Sequence, residues 1–119
     1  MKQVLSALRT AVIGVGSMGR NHARVLAELN GSELVAIVDS NAAIRADVAA
    51  ATGAAEFSDV GEAIALGLDA AVVAVPTAHH HAVVGQLLNA GVHVLVEKPI
   101  AARRDEAQDL IRLAEANKR

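Results

Sequence analysis

Short apolar runs alternate with amphipathic stretches along the chain. Apolar runs occur at TAVIGVG (10–16), ELVAIVD (33–39), DAAVVAVP (69–76) and HVLVEKP (93–99), and they are rich in Val and Ile. Runs with so little polar alternation are expected of parallel strands covered on both faces. AAEFS (54–58) is a weaker candidate, short enough for an edge strand. Helical patterns lie between them. Residues 17–29 place Met18, Val25, Leu26 and Leu29 on one face and stop at Asn30-Gly31. Residues 41–52 group Ile44, Val48 and Ala51 and stop at Gly53, and 59–66 form a short helix capped by Ser58 or Asp59. Residues 78–90 carry Val83, Val84, Leu87 and Leu88 and close at Gly91; residues 103–117 carry Ala107, Leu110, Ile111 and Ala114 at helical spacing. Strictly alternating strands and helices predict an α/β fold with a parallel sheet and right-handed crossovers.

Composition narrows the picture. A length of 119 residues gives a single domain, 1–119, and 53% hydrophobic against 20% charged residues fits a packed chain. Phe57 is the only aromatic residue and alanine occurs 26 times, so the core must be built from small and branched aliphatic side chains. A net charge of −2 gives no broad basic surface and argues against nucleic acid as a partner. Without cysteine there is neither a disulfide nor a thiolate metal site, which suits a cytoplasmic protein. No apolar run approaches the roughly 20 residues of a membrane span. MKQVLSALR (1–9) lacks a signal-peptide core and reads as a short leader before the first strand.

The candidate chemistry starts at GVGSMG (14–19). A lone G-x-G-x-x-G is a weak signal, but here a strand precedes it, a helix follows, and Asp39 closes the second strand 20 residues beyond Gly19. Gly14 permits the tight turn, Gly16 lets the backbone approach a pyrophosphate, and Gly19 lets the helix pack closely. The amides of Ser17 and Met18 would hold phosphates at the positive end of the helix dipole. Asp39, with Ser40 beside it, would accept hydrogen bonds from the adenosine ribose, and its charge would repel a 2′-phosphate. NAD is therefore expected over NADP. The plain alternative is a turn of three small residues followed by an Asp that caps the next helix.

Residues 71–101, AVVAVPTAHHHAVVGQLLNAGVHVLVEKPIA, carry a strand, Pro76-Thr77, His80, a helix ending in Ala90-Gly91, then His93 and Glu97-Lys98-Pro99. Together with GVGSMGRNHARVL, they resemble the N-terminal dinucleotide-binding domain of the Gfo/Idh/MocA oxidoreductases over about residues 10–119. The resemblance implies a Rossmann-type doubly wound sheet of about five strands in the order 3-2-1-4-5, with helices on both faces. It also implies that Pro76, Thr77 and His80 lie near the cofactor, with Glu97 and Lys98 near the nicotinamide. Lys98 is the implied catalytic residue, hydrogen-bonding the reacting hydroxyl of a sugar or polyol during hydride transfer. On residues alone, a solvated Lys98 paired with Glu97 serves equally well.

Three consecutive histidines, 79–81, suggest a metal but point in different directions on a turn or helix, so no metal site is expected. His79 and His81 read as solvated, His22 as packed against the first turn of its helix or, as the alternative, lining the cleft, and His93 as a strand start. Arg103 stands where the family often has a Ser or Thr helix cap. Family members continue into a sixth strand and a C-terminal substrate domain, and this sequence is read as a dinucleotide-binding domain truncated before them. The chain is therefore expected to bind NAD without turning over substrate; the alternative is a stand-alone, non-catalytic dinucleotide-binding or protein-interaction module. An uncovered fifth strand with Val94, Leu95 and Val96 predicts a homodimer through that edge or the adjacent helices.

Overall fold

The computed structural model describes residues 6–119. Five strands, β1 (Leu8–Ile13), β2 (Ser32–Val38), β3 (Ala55–Phe57), β4 (Ala70–Val73) and β5 (His93–Val96), form one parallel sheet in the order β3-β2-β1-β4-β5. The connecting helices are α1 (Ser17–Glu28), α2 (Ala42–Thr52), α3 (Val60–Ile64), α4 (His80–Asn89) and α5 (Arg104–Ala116), with a 3₁₀ turn at Thr77–His79 leading into α4. Element order and strand order are those the alternation and the resemblance predict.

Side chains leave a strand on alternate faces, so each strand feeds two cores. Val12, Ile37 and Val72 join Val15, Ala23, Val48 and Ala54 beneath α1 and α2. On the other face Ala11, Ile13, Ala36, Val38, Ala71 and Val73 meet Val60 and Ala63 of α3, Val84, Leu87 and Leu88 of α4, and Leu110 of α5. A fully buried Val, Leu or Ile contributes roughly 1.5–3 kcal/mol, enough for two all-aliphatic layers to hold the sheet.

The helical faces are not all as expected. In α1 the buried residues are Gly19 and Ala23, while Met18, Val25 and Leu29 are about half exposed and only Leu26 packs against the core. Small residues at the contact let the α1 backbone come close to the sheet, and that closeness leaves the bulkier side chains at its flanks. In α2 Val48 is buried and Ile44 packs beside it, but Ala51 is exposed. In α5 Leu110 is buried and Ile111 is not, because α5 lies along α4 and offers it a narrow stripe through Leu110, Leu113 and Ala114.

Residues 1–5 of the expected leader lie outside the described residues, and Leu8 and Arg9 already belong to β1. Arg9 fastens the approach to β4. Its guanidinium donates to the carbonyls of Gly67 (2.8 Å) and Leu66 (3.0 Å), and its amide donates to the Asp69 carboxylate (2.8 Å). Asp59 occupies the position before α3, but neither it nor Ser58 caps that helix through its side chain. The expected gap at α5 is present: Arg103 precedes the helix without capping it, and its guanidinium turns to Asp105 instead (3.0 and 2.9 Å). No helix is long and apolar enough to cross a membrane among the described residues.

Each strand ends before its apolar run does, by one to three residues. Residues 14–16, 74–76 and 97–99 leave the sheet as loops at its carboxyl end. There, between β1 and β4, the crossovers diverge to opposite faces and a crevice opens.

Candidate functional site

The crevice is framed first by glycines. Gly14 has a φ of +89°, and its amide donates to the Val38 carbonyl at 2.7 Å. A Cβ at Gly14 would lie 2.8 Å from the backbone of Ala74 and Val75, and one at Gly19 would lie 1.7 Å from the Gly14 oxygen. Both glycines are thus demanded by the protein's own packing. Gly16 differs: its φ is −69° and nothing lies within 4 Å of the place a Cβ would take. No contact among the described residues requires glycine there.

The start of α1 is open in a second sense. Gly16 precedes it and supplies no capping side chain, and no acidic residue lies in its first turn. By contrast, the Asn41 side chain accepts from the amides of Ala43 (3.0 Å) and Ile44 (3.1 Å) at the start of α2, and Asp105 and Glu106 occupy the first turn of α5. Unpaired amides and an uncompensated dipole leave the start of α1 attractive to an anion.

At the end of β2 the Asp39 carboxylate ties two loops together. One oxygen accepts from the Val15 amide at 3.0 Å and the other from the Asn41 amide at 2.8 Å. Arg45 of α2 donates to the Asp39 carbonyl (2.9 Å) and to Glu56 (3.2 Å). Asp39 therefore supports the glycine loop as well as facing the crevice, a role its spacing alone did not reveal.

Gly14, Gly16, Asp39, Ser40 and Pro76 come together around this crevice, whose volume is about 640 Å³. Ser17 and Met18 follow Gly16, Thr77 follows Pro76, and Gly19 is buried behind the loop. Ser58 and His79 also line it, and neither was assigned from the sequence. Ser58 follows β3 at the carboxyl end of the sheet, and that position was the available signal.

The histidine triplet points three ways. His79 reaches the crevice. His80, expected near the cofactor, is 1% exposed, with Nδ1 2.8 Å from the Pro99 oxygen and Nε2 2.9 Å from the Val75 oxygen. His81, expected in solvent, is part-buried with Nε2 2.8 Å from Asp109 and Nδ1 3.6 Å from Glu106, both on α5. That hydrogen bond, with the neighbouring Arg112 guanidinium, holds the Asp109 carboxyl below the usual carboxylate range. Beyond β5, Lys98 is exposed, and the Glu97 carboxylate lies 2.5 Å from His22 Nε2 on α1 rather than pairing with Lys98. His22 thus reaches across to β5 instead of packing on its own helix.

Residues 8–119 match the Gfo/Idh/MocA oxidoreductase family, NAD-binding Rossmann fold. The chain is 41% identical over 108 residues to UDP-N-acetylglucosamine 3-dehydrogenase of Acidithiobacillus ferrooxidans, covering 91% of this chain and 34% of that protein. Identity to inositol 2-dehydrogenase of Corynebacterium glutamicum strain R is 36% over 111 residues, covering 90% and 33%. GenD2 from gentamicin A biosynthesis, solved in complex with NAD, superposes with a TM-score of 0.92 at 33% identity, covering 98% of this chain and 34% of that one. The chain spans about a third of the length of these relatives.

Proposed function

The chain belongs to the Gfo/Idh/MocA oxidoreductase family as an NAD-binding Rossmann domain, and from that membership we propose that it serves hydride transfer at a hydroxyl of a sugar or polyol. The observation that carries the reading is the open, uncapped start of α1 beside Gly16, facing the same crevice as Asp39 and Pro76. These residues fit a dinucleotide. The amides of Ser17 and Met18 hold its pyrophosphate, the missing side chain at Gly16 leaves room for it, and Asp39 with Ser40 receives the adenosine ribose. Pro76 and Thr77 flank the nicotinamide end. The bound cofactor supplies the hydride acceptor or donor. Lys98 hydrogen-bonds the reacting hydroxyl and helps to polarise it.

Asp39 favours NAD over NADP, because its carboxylate would face a 2′-phosphate. Arg45, the cation at Asp39, supports the same preference: its guanidinium is engaged by the Asp39 carbonyl and Glu56. Calorimetric titration with NADH and NADPH tests the assignment; tighter NADH binding is expected, and equal affinity overturns it. With Lys98 the only catalytic residue assigned within these 119 residues, we expect binding without polyol turnover by the chain alone. NAD reduction by the chain with inositol or UDP-N-acetylglucosamine would overturn that.

A second reading concerns assembly. Among the described residues the outer edge of β5 is unpaired in the sheet, and Leu95 is 55% exposed. Beside it an apolar groove of about 470 Å³ runs past Leu8, Leu26 and Leu29. Such an edge templates strand pairing, so the chain self-associates as a twofold dimer through β5 or the neighbouring helices. Sedimentation across a concentration series should show the dimer, whereas a 12.2 kDa monomer at high micromolar concentration overturns it.

A further inference from the structure

Lys98 is flanked by two residues that are each gripped by a histidine from a different part of the fold. On one side, the Glu97 amide donates to the Val73 carbonyl at 3.0 Å, extending the ladder, and its carboxylate meets His22 Nε2 at 2.5 Å. His22 belongs to α1, whose first turn follows the glycine loop. On the other side, the Pro99 oxygen lies 2.8 Å from His80 Nδ1, and the opposite nitrogen of that ring faces the Val75 oxygen at 2.9 Å. His80 is sealed from solvent, and its ring spans the gap between the loop after β4 and the turn after β5. Both neighbours of the ring are acceptors, so it can hold this turn only by donating.

We propose that His22 and His80 are positioning residues for Lys98: His22 holds the Glu97 side chain before it and His80 the Pro99 carbonyl after it, which ties its turn to α1 and to the start of α4. The proposal rests on the reading that Lys98 serves the reacting hydroxyl. An exposed lysine has many rotamers, and a fixed backbone on both flanks is what confines its reach. The arrangement also joins the phosphate-facing helix to the turn that carries the lysine, so the two ends of the crevice share a brace.

The test uses backbone 15N relaxation of Lys98 in the ligand-free chain, with Asn and Gln as partial mimics of imidazole. Asn places its amide nitrogen near the site of Nδ1, and Gln places its own near the site of Nε2. His80→Asn should keep the Pro99 link and leave the Lys98 order parameter near about 0.85, while His80→Gln should lower it to below about 0.6. A merely structural histidine would respond alike to both changes. At the part-exposed His22, where folding is not at risk, His22→Gln should preserve the order and His22→Ala should lose it. A Lys98 amide equally rigid in His22→Ala and His80→Gln overturns the proposal. Adding NADH to the unmodified chain then examines the underlying reading separately. A shift of the Lys98 amide supports it; an ordered amide indifferent to NADH removes Lys98 from the site while both grips stand.

Discussion

At the β1–β2 end of the crevice, shape is held by main chain: Gly14 donates to Val38, Val15 and Asn41 donate to Asp39, and the start of α1 is left uncapped. At the β4–β5 end, shape is held by side chains, with His22 on Glu97 and His80 between Val75 and Pro99. The first arrangement needs a few residues without side chains and one carboxylate, whose amide partners lie 24 and 2 residues away. The second needs particular side chains, with partners 75, 19 and 5 residues apart. A main-chain cradle suits a ligand part that stays the same from one reaction to the next, such as a pyrophosphate. A side-chain brace suits the end where chemistry occurs and where a group must be aimed.

The largest effect should come from breaking the cradle itself. Gly19→Ala drives a methyl group into the Gly14 oxygen, so a loss of about 3 kcal/mol or more and a Tm lower by more than about 10 °C are expected. An unchanged thermal melt would mean that α1 can retreat from the loop. Gly16→Val separates binding from folding. Open space around that position predicts a Tm within a few degrees of the parent and NADH affinity reduced by ~100-fold or more, read by titration of NADH emission. Retained affinity would make the loop a mere turn. Asp39→Asn keeps an acceptor oxygen for one of the two amides and removes the charge. It should narrow the NADH over NADPH preference by roughly tenfold, whereas a preference unaltered in competition titrations would place the discrimination elsewhere.

The smallest effect lies away from both ends and serves as their control. Asp109 has its carboxyl held below the ordinary 3.8, first by His81 and then by Arg112. A carboxyl lowered in the folded state adds stability above its unfolded value, and this is lost as pH falls through the folded one. In urea melts, His81→Ala should therefore be less stable than the parent at pH 7, with the gap closing below about pH 3.8, and NADH affinity should stay the same. A gap independent of pH would remove the His81–Asp109 hydrogen bond as its source.

The element order and the glycine loop were legible because they depend on local features: apolar runs, glycines at fixed spacing, and an Asp at a strand end; the strand order came from the family resemblance. The helix faces were less so. Met18, Val25, Leu29 and Ile111 read as core by size, yet α1 packs through Gly19 and Ala23, and α5 through a stripe that passes Ile111 by. Close approach by small residues carries no strong periodic signal. His80 was marked by the family resemblance as lying near the cofactor, but its burial between two carbonyls could not be read from 79–81. The pairing of His22 with Glu97 had no local signature at all.

The crevice opens between β1 and β4, strands adjacent in space whose paired residues, such as Thr10 and Ala70, lie about sixty positions apart in the chain. The β1–β2 pairing closes a much shorter loop, from Leu8 to Ser32 at its first register pair. Loop-closure entropy therefore places the β1–β4 contact late in folding. Gly14 can rest against Ala74 only once that contact exists. A partly folded chain with β1, α1 and β2 in place would already have the glycine sequence and Asp39, but not the wall opposite them. Affinity for the dinucleotide should then arrive in one step with the closing of the sheet. A dinucleotide bound there should then act as a latch on that late contact, stabilising the finished domain without assisting any of its halves.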